Sequence, residues 1–270
     1  MDERLDRIVI KIERAEEHIR DLELAVKSFL NGPPPPYEVG TKADPQTGEL
    51  IYHIVSIRPT PFKLAAITGD ALQNLRSALD HLVCQLVLAN RGKPTRYTSF
   101  PISLGAAKYV SPESRRKVEG VRQEAIKAID ALKPYKGGND ALWHLHQLNN
   151  IDKHRLIMTV GSTNRAHSAT PATMENVRRR WEGSHPGVPF PPSVTGFAFF
   201  EPSRTLRFPL KAGDELLRLP IDSEPNKQMK FLFDIAFGES EVVQGQPLLE
   251  TLHEMAKLVS GIVFSFRTML

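Results

Sequence analysis

The chain has 270 residues, 41% of them hydrophobic and 24% charged, which are ordinary globular proportions and exclude disorder, collagen-like repeats and low complexity. Its 35 Lys and Arg against 31 Asp and Glu leave a formal charge of +4, which permits contact with nucleic acid without demanding it. No stretch reaches the roughly 18 consecutive apolar residues of a membrane span. The opening MDERLDR lacks the apolar segment and small-residue cleavage site of a secretory signal. The single cysteine, Cys84, forms no internal disulfide, and the cytoplasm is the expected compartment.

Leu5, Ile8, Ile12, Ala15, Ile19, Leu22, Val26 and Phe29 are spaced alternately by three and four. That heptad predicts a helix over about residues 3–30. Asn31-Gly32 stops it, and Pro33 to Pro36 forbid continuation. The seam fits a long helix of an antiparallel bundle or a dimerising coiled coil. The bundle is preferred, because later helical segments can cover the seam.

Tyr37–Thr41 and Leu50–Arg58 flank a turn with Asp44, Pro45 and Gly48, so a β-hairpin is expected. A helix follows over 63–90, rich in Leu and Ala. Ser111-Pro112 opens another, with Ser at the cap and Pro at the first position, expected to run to about Lys133. Asn139 or Asp140 caps a further helix, to about His154. Leu156–Val160 reads as a strand, and 162–193 as a long loop excursion without periodicity. Segments 194–200, 204–210, 215–219 and 229–237 have strand character. Residues 246–269 return to helix, with Leu248, Leu252, Met255, Val259, Ile262 and Phe266 as a second seam.

The expected fold is α+β, mainly α, as one domain over 1–270. Segments 1–32, 60–155 and 246–270 form a helical bundle that includes both terminal helices. The β elements, at 37–58 and 156–238, make a small antiparallel sheet beside it.

Two polar motifs stand out. In Gly69-Asp70-Ala-Leu-Gln-Asn74-Leu-Arg76-Ser77-Ala-Leu-Asp80-His81-Leu, the leucines share one helix face. Asp70, Asn74, Ser77 and His81 cluster within about 60° on the opposite face. Four short hydrogen-bonding side chains there run against helix propensity, which suggests a packing network or a site. Arg76 and Asp80 lie on one flank at i,i+4, the spacing of a surface ion pair.

The second motif runs from His144 to Arg155. His146, Asn149, Asp152, Lys153 and His154 are its polar members. Asn149 and Asp152 fall in or beside the apolar arc of Leu142, Leu145 and Leu148. A carboxylate so placed needs a partner or a raised pKa, and Arg76, His81 and Lys153 are the candidates. Lys153, His154 and Arg155 suit a helix C-terminus. The pairs His144/His146 and Asp152/His154 are at i,i+2 and point apart, so no metal site is expected.

Together, GDxxxNLRSALDHL and LNNIDKHR resemble the paired motifs of a widespread bacterial family to which no activity is attached. Arg76 and His81 also form Arg-x4-His, which more weakly resembles the signature of HEPN-domain ribonucleases. Those are helical bundles that cleave RNA without metal at a dimer interface. That resemblance implies Arg76 and His81 as the catalytic pair. The histidine would exchange a proton near neutral pH and the arginine would hold the phosphate. The residue after the arginine is Ser77, where the nucleases often carry Asn, Asp or His.

Arg178, Arg179 and Arg180, next to Trp181, are the expected nucleic-acid contacts, and Arg115-Arg116-Lys117 is a second basic cluster. Phosphate-loop, dinucleotide, zinc-ribbon and serine-hydrolase motifs do not occur, so no cofactor is expected. Two readings follow. One is a metal-independent RNA endonuclease acting as a homodimer, with RNA as partner and no membrane. The other is a non-enzymatic, homo-oligomeric binding or assembly module whose polar motifs are structural.

Overall fold

A computed structural model describes residues 3–167, 178, 179, 182, 199, 200, 209–221, 225, 230–239 and 242–270. The chain groups into two compact units. One comprises Met1–Val26, Pro61–Thr159 and Phe237–Leu270, and the other Lys27–Thr60 and Val160–Ala236. The fold is α+β and mainly α, with α1 Glu3–Asn31, α2 Phe62–Ala89, α3 Ala106–Tyr109, α4 Pro112–Arg116, α5 Gln123–Ala131, α6 Asp140–Asp152 and α7 Leu248–Ser265.

In the helical unit the α1 seam is buried from Leu5 to Val26. Each buried Leu or Ile contributes roughly 2 kcal/mol. The seam is covered within a single chain, which removes the need for a coiled-coil partner there. Polar contacts fix the register of α1. Glu23 takes a 2.7 Å contact from His253 of α7, and Arg4 donates to the Leu270 carbonyl at 3.0 Å.

Helix α2 is the axis of this unit and packs against α6 and α7. Leu72, Leu75, Leu79 and Leu82 are fully buried. Helix α7 buries its whole predicted seam, Leu248 to Phe266.

The single helix expected over 111–133 is instead broken. Ser111 does cap α4, its hydroxyl accepting from the Ser114 N–H at 3.4 Å. The chain then turns at Gly120, whose φ is +85° and whose carbonyl accepts from Asn90 Nδ2 at 3.0 Å. A left-handed residue ends a helix, and glycine takes that conformation without strain. Asn139 caps α6, its side chain accepting from the Leu142 N–H at 3.1 Å.

The strands are β1 Tyr37–Ala43, β2 Leu50–Ile57, β3 Thr159–His167, β4 Phe199–Phe200, β5 Glu215–Leu219 and β6 Lys230–Phe237. They form two three-stranded sheets rather than one, in the orders β1-β2-β5 and β4-β3-β6. The predicted hairpin is β1-β2, antiparallel, closing at Ala43 opposite Leu50. β5 pairs antiparallel with β2, and both its faces are covered, with Leu217 and Leu219 in one apolar cluster and Leu216 in another.

Two strand boundaries differ from expectation. The strand predicted at 156–160 begins only at Thr159, and residues 162–167, expected in the excursion, continue it as β3. Pairing supplies what periodicity does not, because β3 runs antiparallel to β4 with Ala166 opposite Phe200. Residues 209 and 210 lie outside any strand. The remaining excursion residues, apart from 178, 179 and 182, and the segments 194–198 and 204–208 lie outside the described residues. Among the described residues, no helix is long and apolar enough to cross a membrane.

Candidate functional site

Arg76 projects from α2 into the helical unit and is 6% exposed. Its Nη1 donates to Asp80 Oδ1 at 2.5 Å and its Nη2 to the Phe100 carbonyl at 2.9 Å. The Phe100 N–H donates to the same Asp80 oxygen at 2.8 Å. The expected surface ion pair is therefore a partly buried clamp. The loop around Phe100, itself fully buried, helps to shield the Arg76 guanidinium from water, whereas the Asp80 carboxylate stays partly exposed. Such a pair is worth keeping intact because each partner alone would be an uncompensated charge.

The clamp continues outward, as the Ser99 N–H donates to the Lys117 carbonyl at 3.1 Å. The Lys117 side chain is half-buried, and among the described residues it has no hydrogen bond or ion pair. Burial pushes its amine pKa down, and the Arg76 charge adds to this, against Asp80. His146 of α6 lies in the same field. Burial first, then Arg76, Lys117 and Lys153, push it down to about 4. Asn150 Nδ2 contacts His146 Nε2 at 3.2 Å. The other ring nitrogen, His146 Nδ1, is buried without a partner among the described residues.

His81 lies about 140° around the helix from Arg76. Its Nδ1 donates to the Arg7 carbonyl of α1 at 3.4 Å. Arg76 thus faces the loop at Phe100 while His81 faces α1, and the chain does not bring the two together. The rest of the first motif is satisfied largely within α2. Asn74 Nδ2 donates to the Asp70 carbonyl at 2.9 Å, and Ser77 Oγ accepts from Gln73 Nε2 at 3.4 Å. Asp70 itself is exposed.

The two motifs meet at Gly69 and Asp152. A Cβ on Gly69 would lie 2.1 Å from Asp152 Oδ1. Asp152 therefore rests on α2 backbone, and none of the three cations considered for it is its partner. Burial and then the Asp70 charge push its carboxyl pKa up. Asn149 is buried at 1% exposure, with Oδ1 unpaired among the described residues. Lys153 and His154 are exposed.

Sequence reasoning missed three elements of this region. The Phe100 backbone partner has no side-chain signature. The Arg155–Glu239 pair, at 2.9 and 2.7 Å, spans 84 residues. The contact at Gly69 did have a signal, since an isolated glycine inside a helical pattern marks close approach.

Arg178 and Arg179 are exposed and helical, and Arg178 pairs with Glu182 at 2.9 Å. Arg180 lies outside the described residues. Burial, then Asp80, push the Cys84 thiol up, which disfavours a nucleophile. Among the described residues, no group of three or more His, Cys, Asp or Glu side chains is placed to hold a metal. No family model, curated protein or solved structure matches the chain.

Proposed function

We propose that the protein is a non-enzymatic binding module whose two polar motifs build the fold. The Arg76 clamp carries this reading. A guanidinium that holds a phosphate must offer its N–H groups to it. Two of those of Arg76 are engaged inside the protein with Asp80 and the Phe100 carbonyl. A proton-transfer partner must lie within hydrogen-bond reach of the same reacting atom, and His81 faces α1 instead. Self-association belongs to the same reading through a surface other than the covered α1 seam, and sedimentation velocity measures it.

The test is incubation of wild-type and His81→Ala protein with mixed single-stranded and structured RNA in EDTA. His81 is peripheral, so the variant is expected to fold. The expected result is no cleavage that depends on His81. Cleavage by wild type that the variant loses would overturn the proposal and restore the metal-independent ribonuclease reading.

A further inference from the structure

Residues 91–139 hold eleven Lys and Arg and four Asp and Glu, a formal +7 in a chain whose total is +4. The remainder of the chain is therefore net acidic. Concentrated like charge repels itself, and here little of it is neutralised. In this segment Lys108 pairs with Glu113 and Arg115 with Asp130. The side chains of Lys93, Arg116, Lys133 and Lys136 make no hydrogen bond or ion pair among the described residues.

The cations sit over aromatic rings. The Arg116 guanidinium carbon lies 3.4 Å from the Tyr97 ring centre, and that of Arg96 4.7 Å from the same ring. Arg115 lies 4.9 Å from the Tyr109 ring, and Lys136 4.7 Å from Trp143. Backbone contacts join these into one face, with Ser99 bonded to Lys117 and Lys136 to Ser103. The Tyr109 and Tyr135 rings are 5.4 Å apart. A groove of about 800 Å³ adjoins Arg115 and Arg116, which line it together with Glu119, Asp130 and the apolar Val118, Val121 and Ile126.

The Arg116 guanidinium, held against the Tyr97 ring, keeps one planar face and its in-plane N–H groups free among the described residues, whereas Arg96 gives one N–H to the Tyr97 hydroxyl and Arg115 one to Asp130. The face stacks on a nucleobase, and the N–H groups take phosphate. A lipid surface would instead be met by projecting aromatic tips, whereas Tyr97 is half-buried and Tyr109 buried, both beneath cations.

We propose that this face binds single-stranded nucleic acid, with Arg116, backed by Tyr97, stacking on an unpaired base and giving its N–H groups to one phosphate while Lys93 and Arg96 hold flanking phosphates. The proposal rests on the binding-module reading and supplies its ligand.

The test is fluorescence anisotropy of the full chain with labelled single-stranded RNA and DNA of about 12 nucleotides, enough to span a typical single-strand site. A matched duplex, inorganic polyphosphate and phosphatidylserine vesicles serve as competitors. Both single strands are expected to bind, and tighter binding of RNA would assign the 2′-hydroxyl a part. For three phosphates neutralised, affinity should fall roughly 20-fold between about 50 and 200 mM salt. Arg116→Ala should reduce the slope of that salt dependence by about 0.7. Tyr97→Ala should weaken binding roughly tenfold while Tyr97→Phe retains it, with melting curves checking the fold of each variant. Arg116 is exposed, so its variant tests the face even where a Tyr97 variant unfolds.

Three results would overturn the proposal. They are no binding at low salt, equal or better competition by duplex, polyphosphate or vesicles, and indifference to Arg116→Ala. An oligomer that is bound but cut in a His81-dependent manner would overturn the non-enzymatic reading and leave this face standing. One neither bound nor cut would overturn this proposal alone.

Discussion

Gly69 of α2 and Asp152 at the end of α6 are in direct contact. A Cβ on Gly69 would stand 2.1 Å from Asp152 Oδ1 and 2.4 Å from its Cγ. A glycine inside a helix costs about 1 kcal/mol against alanine, and the closeness of Asp152 is the physical reason for it here. Gly69→Ala should therefore lower stability, because the collision, about 1–3 kcal/mol for overpacking, outweighs the gain in propensity. In the Asp152→Ala background the same change should stabilise by about 1 kcal/mol. Urea unfolding of the four proteins measures both. A Gly69→Ala protein more stable than wild type would show that α6 does not press on α2 at this point.

The Arg76 clamp gives a second expectation. Removing either charge strands the other, and Arg76→Ala also leaves the Phe100 carbonyl with only the Ile102 N–H, at 3.0 Å, as its donor. Arg76→Ala and Asp80→Ala should each cost about 3 kcal/mol, the lower end for breaking a buried pair, because the Asp80 side chain is 34% exposed. The double variant should lose far less than the sum of the two. Arg76→Lys should not rescue, since a single ammonium does not reproduce the fork that spans Asp80 and the Phe100 carbonyl. Additive losses in the cycle would mean that the two side chains act independently.

Periodicity made the helices legible. The heptad from Leu5 to Phe29 and the seam from Leu248 to Phe266 are buried as their spacing predicts, because a helix face repeats every few residues and shows in one segment of sequence. The break at Gly120 was not legible, since nothing local distinguishes a left-handed glycine from a tolerated one inside a helix. The strand over 162–167 was hidden for a different reason. Strand identity depends on a partner, and the partner of Ala166 is Phe200, far along the chain. At the candidate site, sequence identified Arg76, Asp80, His146 and Asp152 as members of two dense motifs. It misjudged what they touch, because Phe100, Lys117 and Gly69 contribute backbone or come from other elements.

The pH dependence of stability should carry a signature of His146. Burial and the neighbouring cations hold its pKa at about 4, against an ordinary 6.5. The folded state thus resists a proton that the unfolded chain accepts. This contribution is complete above about pH 6.5 and is lost as the pH falls from there towards 4, by roughly 3 kcal/mol in all. His146→Gln retains an oxygen that can accept from Asn150 and removes the titration. Its unfolding free energy should fall less steeply than that of wild type between those two pH values. Parallel curves for the two proteins would mean that the imidazole is solvated.

Glu239 predicts an acid limb at lower pH. It is 4% exposed, accepts both N–H groups of the Arg155 fork, and takes the Met158 N–H at 2.8 Å. The Gly238 N–H also donates to the Met158 carbonyl at 2.8 Å, so the pair ties the chain after β6 to the chain after α6. Burial pushes the Glu239 carboxyl pKa up, but the Arg155 and Met158 hydrogen bonds outweigh it, and the net is below the ordinary 4.5. A depressed carboxylate stabilises the fold above its unfolded pKa, and that stability is lost as pH falls through the folded value. Glu239→Gln should therefore cost about 2 kcal/mol at neutral pH, in the range for a charged hydrogen bond, and the difference from wild type should shrink below about pH 4.5. Arg155→Ala should cost more than Glu239→Gln at neutral pH, because it leaves the carboxylate buried with only the Met158 N–H to hold it, whereas a glutamine leaves an exposed guanidinium free to reach water. Equal losses from the two substitutions, or a Glu239→Gln deficit unchanged down to pH 3, would mean that the carboxylate of Glu239 is not the anchor of this junction.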